Sequence, residues 1–284
     1  MTNDIQEVLA RVGLRARQVM SLHTIHDPAK LRGTFRVELD SGAFVKARRL
    51  ESEEAAQHHQ KLRAALPPAF VPVLARSGAV LIEPWIYGQP LTEAPLTEPL
   101  VHKAGRLLAA LHATPWVGKS PSFSLQIAEL RDTTLTWLTR LMTAGIVKVS
   151  VAHALRAILE EGAPKEALHG LVHTDFCGEN MLITAEGRLV VVDNEHATLG
   201  PLAMDMARAW YRWGLRDQAW DWFRAGYTAG GGNEEAFAHT LFWRIVSVTI
   251  SADLRFRSGH VRLDIPVKCL ESLAQPNGGT VIDE

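Results

Sequence analysis

The 284-residue sequence predicts an α+β protein with a small β-rich N-terminal part and a larger, mainly helical C-terminal part. Three observations predict it. Short runs alternating apolar and polar residues occupy much of residues 18–47, and an Asp40-Ser41-Gly42 turn separates two of them. From residue 98 onward apolar residues recur at helical spacing, as in Val101, Ala104, Leu108 and Leu111. Within that helical part, residues 181–184 and the β-branched run 189–192 flank a Glu186-Gly187 turn and read as one hairpin.

Composition sets the class. With 47% hydrophobic and 21% charged residues the chain is ordinary for a globular protein, and it is long enough for one large domain or two lobes. The formal net charge of −1 gives no reason to expect nucleic acid or an anionic membrane surface as a partner. Cys177 and Cys269 form neither a disulfide framework nor a metal-binding spacing. No apolar run approaches ~18 residues, so no membrane span is expected. The start, with Asp4 and Glu7, lacks the apolar core of a signal peptide. The expected compartment is the cytoplasm.

Taken in order, residues 3–13 read as a short amphipathic helix. Asn3 or Asp4 caps it, Ile5, Val8, Leu9 and Val12 line one face, and Gly13 stops it. Strands are expected over 18–24, 34–39 and 43–47, the last two forming a hairpin. Residues 51–66 read as a helix capped by Ser52, with acids in its first turn, and Pro67 and Pro68 end it. Residues 79–91 read as a buried strand running into a glycine-bearing linker, with a domain boundary near Gly88 (domains 1–87 and 88–284). A helix follows over 98–113, and 124–161 is expected to be largely helical with a break at Gly145. Beyond Asp205 the chain turns aromatic, from Trp210 and Tyr211 to Phe242 and Trp243. Two readings stay open there, helix core or rings lining a substrate cleft. Gly230-Gly231-Gly232 is read as a break and a candidate mobile loop.

Chemistry concentrates in residues 168–205. Leu171 and Val172 lead into His173, Asp175 and Asn180, an H-x-D-x-x-x-x-N arrangement. The hairpin that follows delivers Asp193 to the end of a buried strand, close to Asn180. An Asp and an Asn at the two ends of one short hairpin offer hard oxygen ligands to a divalent cation. Asp175, upstream on the loop, is left to accept a proton from a hydroxyl. This is the layout of a kinase catalytic loop followed by its metal-binding aspartate. A hairpin with incidental surface acids is the bland alternative, and the coincidence of several residue types at fixed separations argues against it.

These residues, with Gly200-Pro201 and Asp205-Met206-Ala207 downstream, resemble the aminoglycoside phosphotransferase and choline kinase-like family, small-molecule relatives of the protein kinases. Thr174 stands where that loop usually has Gly, and Asn194-Glu195 stands where protein kinases have Phe-Gly. The resemblance covers residues 34–207. It implies a two-lobed protein-kinase-like fold, ATP as donor, Mg²⁺ at Asn180 and Asp193, and Asp175 as the catalytic base. His173 is then expected to shape the loop, and Asp205 to brace it through backbone hydrogen bonds. Lys46, in Phe44-Val45-Lys46-Ala47, is expected at the donor's phosphates, positioned by a glutamate of the helix over 51–66. Glu54 is the first choice and Glu53 the second, with an ordinary acidic first turn as the alternative. The Pro84 carbonyl and the Ile86 amide are the expected adenine contacts. The phosphate-covering turn, residues 26–34, contains only one glycine, so the amides of Gly33 and Thr34 are its candidates for phosphate contact. His112 reads as a packing residue.

The function expected is ATP-dependent transfer of a γ-phosphoryl group to a hydroxyl of a small molecule. Between residues 206 and 265 six acids (Asp217, Asp221, Glu234, Glu235, Asp253, Asp264) stand against eight arginines (208, 212, 216, 224, 244, 255, 257, 262). That balance offers little to a polycation, so an acceptor of low or negative charge is expected. An aminoglycoside or other antibiotic O-phosphotransferase is one alternative. A catalytically silent nucleotide-binding module, suggested by the sparse phosphate turn and Thr174, is another. A protein kinase is disfavoured because no A-P-E activation segment follows Asp193.

Overall fold

The computed structural model describes residues 3–22, 33–116 and 127–275. Helix α1 (Asn3–Arg11) buries Ile5, Val8 and Leu9, and the chain leaves it through Gly13 at a φ of 73°. Strands β1 (Ala16–Ser21), β2 (Thr34–Leu39) and β3 (Phe44–Arg49) follow. Residues 23–24 of the first expected strand, and residues 26–32 of the expected phosphate turn, lie outside the described residues. Helix α2 (Glu53–Ala65) begins as anticipated, the Ser52 hydroxyl accepting from the Ala55 amide at 3.1 Å. Strands β4 (Ala75–Ser77) and β5 (Val80–Pro84) complete an antiparallel sheet in the order β1-β2-β3-β5-β4. Phe35, Val37, Val45, Ala47, Val80 and Ile82 pack with α1 on one face of that sheet. Since side chains alternate along a strand, the other face carries Arg36, Lys46, Arg48 and Glu83, with Lys46 opposite Arg36 and Glu83 in the register.

The remaining elements are β6 (Gln89–Pro90), α3 (Glu98–His112), α4 (Ile127–Thr143), α5 (Val149–Glu161), β7 (His169–Val172), β8 (Met181–Ile183), β9 (Leu189–Val191), β10 (Thr198–Pro201), α6 (Leu202–Arg212), α7 (Asp217–Ala229), α8 (Thr240–Arg257) and α9 (Asp264–Leu273). The break between α4 and α5 falls at Gly145, whose φ is 70°. By internal packing the chain divides into two units. One comprises Met1–Pro95, Thr114–Lys119 and Gly178–His196, the other Leu96–Ala113, Ser120–Cys177 and Ala197–Glu284. This differs from a single break near Gly88 with the hairpin in the helical part. The hairpin joins the first unit because β8 pairs with β6 and Val191 bridges to Phe70. Gly88 marks that close approach: a Cβ there would lie 2.7 Å from the Ile183 carbonyl oxygen.

In the second unit Leu138, Leu141, Leu155, Leu159, Ile245 and Val246 form the helical core. The aromatic stretch belongs to that interior. Trp213, Phe223, Tyr227, Phe242 and Trp243 are buried, Trp220 stacks on Phe223 at 5.6 Å between ring centres, and Tyr227 meets Phe237 edge-on at 5.4 Å. Helix core is therefore the better of the two readings. The triple glycine closes α7 in a hydrogen-bonded turn, Gly232 donating to the Tyr227 carbonyl at 3.0 Å, rather than forming an open loop. Both cysteines are buried thiols. Among the described residues no helix is long and apolar enough to cross a membrane.

Candidate active site

In the first unit the β8–β9 register, Met181 opposite Val191, brings the two ends of the hairpin together. The Val192 amide donates to the Asn180 carbonyl at 2.9 Å, so Asn180 and Asp193 stand at the same open end. Asp193 takes a φ of 55°, a left-handed conformation that costs a non-glycine residue about 1–2 kcal/mol. Its carboxylate forms an ion pair with Lys46 Nζ on β3. Arg48, two residues further along the same strand face, lies 3.8 Å from that carboxylate and 2.6 Å from Glu195. Behind them Arg63 of α2 donates to Glu83 at 2.8 Å and to the Val71 carbonyl at 2.6 Å.

The charges shape one another. Burial alone would raise the Glu195 carboxyl, but Arg48 and Lys46 outweigh it and bring the pKa down to about 2. Burial likewise opposes the Arg48 charge, and Glu195, Glu83 and Asp193 more than offset this, so its pKa lies above the ordinary value. His59 of α2 is pushed down to about 4 by burial and by the cations Arg63 and Arg48, and stays neutral.

In the second unit the loop at His173 is organised by Asp205, fully buried in the first turn of α6. Asp205 accepts from the His173 amide at 2.6 Å and from the Thr174 amide at 2.7 Å. Its Oδ2 is also 3.2 Å from His112 Nε2, and His112 Nδ1 is 2.8 Å from the Tyr227 hydroxyl. With its proton on Nε2 the imidazole serves both partners, donating to Asp205 and accepting from Tyr227. Burial and the Asp205 charge push the Tyr227 hydroxyl well above its ordinary pKa, keeping it a donor. The Asp175 amide donates to His173 Nδ1 at 3.3 Å. Arg208, three residues after Asp205, donates Nε to the Thr174 carbonyl at 3.1 Å and lies 3.5 Å from Asp175 Oδ1. Burial lowers the Arg208 pKa, with Asp175 acting in the opposite direction.

Most of the anticipated residues fall into these two groups: Lys46, Asn180 and Asp193 in the first unit, His173 and Asp175 in the second. Pro84 ends β5 and Ile86 is half-buried just beyond it; Gly33 and Thr34 precede and open β2, the Gly33 carbonyl accepting from Arg49 at 2.6 Å. Glu54 is the exception. It is exposed, and Lys46 is held by Asp193 instead. The reason is the orientation of α2, which buries Ala56, Leu62 and Arg63, while Glu53 turns to Arg76 at 3.1 Å. The first-turn acids therefore serve the helix N-terminus. Arg48, Arg63 and Glu83 were not singled out from the sequence, while Glu195 was read only as part of the Asn194-Glu195 pair and Arg208 only in the count of arginines. His112, read as packing, is instead a hydrogen-bonding member of the Asp205 group.

The donor set at the hairpin end suits a hard cation. Asn180 and Asp193 are both oxygen donors, and the Asp193 side chain is 44% exposed. Mg²⁺ commonly takes only one or two protein ligands and completes its shell with water and phosphate oxygens. No cluster of three or more His, Cys, Asp or Glu able to hold a metal occurs among the described residues.

A sheet whose strand lysine pairs with an aspartate ending a hairpin, joined to a helical part whose loop is braced by a buried aspartate, defines a protein-kinase-like α+β fold. The chain belongs to the phosphotransferase enzyme family, APH, whose profile matches residues 28–241. Like that family, it is a small-molecule phosphotransferase acting on a hydroxyl group. Similar solved structures include a macrolide 2'-phosphotransferase type I, at 18% identity over 96% of each chain with a TM-score of 0.65. Choline kinase LicA from Streptococcus pneumoniae aligns at 14% identity over 96% of this chain and 99% of its own, with a TM-score of 0.67. Spectinomycin phosphotransferase APH(9)-Ia, solved with ADP and spectinomycin, aligns at 16% identity over 97% and 95%, with a TM-score of 0.62. At these identities the likeness shows the fold alone. No curated protein sequence matches the chain.

Proposed function

We propose that this enzyme transfers the γ-phosphoryl group of ATP to a hydroxyl of a small molecule of low or negative charge. The observation that carries the reading is the Lys46–Asp193 ion pair at the end of the hairpin that begins at Asn180. A lysine, an aspartate and an asparagine assembled in this way suit a polyphosphate and its cation. Asn180 and Asp193 would hold Mg²⁺, which when bound supplies positive charge to the donor's phosphates. Lys46 adds charge from β3, and Arg48 keeps Lys46 and Asp193 in a compact charged group. The Pro84 carbonyl and Ile86 amide are the adenine contacts in this reading, and the amides of Gly33 and Thr34 face the phosphates.

Asp175 accepts the acceptor's hydroxyl proton as the oxygen forms its bond to the γ-phosphorus. The bond from that phosphorus to the β–γ bridging oxygen breaks, and ADP leaves. The transition state is loose, so positioning and charge stabilisation supply most of the rate gain. Asp205 keeps the loop in shape through the His173 and Thr174 amides, and His173 buttresses it by accepting from the Asp175 amide. Dependence on ATP is the ground for expecting a cytoplasmic enzyme.

The charge of the acceptor rests on where the acids go. Of the six between residues 206 and 265, Asp253 is buried and paired with Arg140 at 2.7 Å and Arg257 at 2.8 Å, and Glu234 is paired with Arg224. Arg208 stands beside Asp175 itself. With Asp264 lying 3.8 Å from Lys268, three of the six acids are paired, and the other three, Asp217, Asp221 and Glu235, stand against eight arginines, a poor balance for receiving a polycation. The test is a panel with γ-labelled ATP: neutral polyols, phosphorylated and carboxylated alcohols, choline, a macrolide and kanamycin-type aminoglycosides. Label is expected on neutral or anionic alcohols. Efficient transfer to aminoglycosides, with the neutral and anionic alcohols ignored, would overturn the charge assignment.

A further inference from the structure

Thr174 occupies a backbone conformation that suits glycine. Its φ is 68°, and its branched Cβ makes the left-handed region unfavourable for it. Something must hold the peptide there. The Thr174 amide is tied to Asp205 at 2.7 Å, and the Thr174 carbonyl is tied to Arg208 Nε at 3.1 Å. Both ties come from α6, where residues three apart share a face, so one helix turn grips both sides of the strained residue. The guanidinium is anchored at its far side, Nη1 donating to the Ser247 carbonyl of α8 at 3.3 Å, and its Nε lies 3.5 Å from Asp175 Oδ1. A planar fork fixed to α8 therefore meets the carbonyl before Asp175 and the Asp175 carboxylate together.

We infer that Arg208 is a positioning residue for Asp175, required because Thr174 holds the loop in a left-handed conformation. The inference rests on the reading of Asp175 as the base. It differs from a simple packing role in making the need for Arg208 depend on residue 174. With glycine at 174 the left-handed turn is unstrained, and the carbonyl tie matters less.

The test is a double-mutant cycle on the full chain: the parent, T174G, R208M and T174G/R208M. Two readouts are followed, the melting temperature and the steady-state hydrolysis of MgATP with water as acceptor. R208M keeps an apolar stem and loses every donor. In the Thr174 parent, R208M is expected to lower kcat about tenfold or more while KM for MgATP changes less than about twofold. In the T174G background the same change is expected to cost about threefold or less in kcat, and the drop in melting temperature is expected to shrink with it. Equal losses in the two backgrounds, or an R208M enzyme indistinguishable from the parent, would overturn the inference. Should R208M not fold, R208K takes its place in the cycle with the same outcomes, since it keeps the charge but not the fork. A parent that turns over no ATP counts against the reading of Asp175. The melting cycle still decides the tie between Arg208 and Thr174, coupling supporting it and additive losses overturning it.

Discussion

Replacing Glu195 with Gln strips the buried Arg48 of its closest counter-charge. The Arg48 side chain is 10% exposed and Glu195 17%, with 2.6 Å between their charged atoms; Asp193, at 3.8 Å, compensates only in part. The carboxyl has an ordinary pKa of 4.5 and a folded value of about 2. At about 1.4 kcal/mol per pKa unit, folding favours the charged form by about 3 kcal/mol. Glu195 Oε2 and Arg48 Nε are both buried without a hydrogen-bond partner among the described residues, so this figure is an upper limit. We expect E195Q to lose about 2–3 kcal/mol in urea unfolding at pH 7. The folded pKa is depressed, so this contribution is complete above pH 4.5 and fades as the pH falls toward 2. The parent should lose stability more steeply than E195Q across that window. A double variant, R48M/E195M, removes both charges and should regain most of the loss. A loss in E195Q below about 0.5 kcal/mol, with the same acid slope as the parent, would refute the reasoning.

Two further outcomes concern the donor site. E54Q should bind ATP as the parent does, because Glu54 is exposed and Lys46 is paired elsewhere, whereas K46M should weaken binding about tenfold or more; equal weakening in calorimetry would return the helix glutamate to the site. D193A and N180A should each shrink the gain in ATP affinity that Mg²⁺ brings, since each removes an oxygen donor. A parent protein with the same ATP affinity in the presence and absence of Mg²⁺ would contradict that assignment.

What could be read from the sequence depended on how local its cause was. The hairpins at Asp40-Ser41-Gly42 and Glu186-Gly187, the Ser52 cap and the stop at Gly13 arise within a few residues, and all appear in the structure. The hairpin spacing also brought Asn180 and Asp193 to one end correctly. Glu54 failed because the face that α2 buries is decided by packing against other elements, while a first-turn acid is explained by the helix terminus alone. Lys46 and Arg48 share a strand face by simple alternation, but their partners Asp193 and Glu195 lie on a distant hairpin and leave no local trace. Strand β10 was not anticipated for a similar reason: Gly200-Pro201 was noted only as part of the family motif, and it is the pairing with β7 that makes it a strand. His112 looked apolar in company because its partners, Asp205 and Tyr227, come from two later helices. Thr174 was visible as a departure from the family loop, while Arg208, its compensation, was visible only once α6 was seen to carry Asp205 and Arg208 on one face.

The central claim is that Asp175 accepts the proton during phosphoryl transfer, and Asp175→Asn tests it most directly. The substitution keeps the size of the side chain and one oxygen but removes its basicity. MgATP affinity by calorimetry and turnover with the best acceptor of the panel are measured on the parent and on D175N. The account predicts that D175N stays folded with a lowered melting temperature, because buried Arg208 loses its nearby counter-charge, while ATP affinity stays within about twofold of the parent and turnover falls by about 10²-fold or more. Turnover in D175N equal to that of the parent would contradict it.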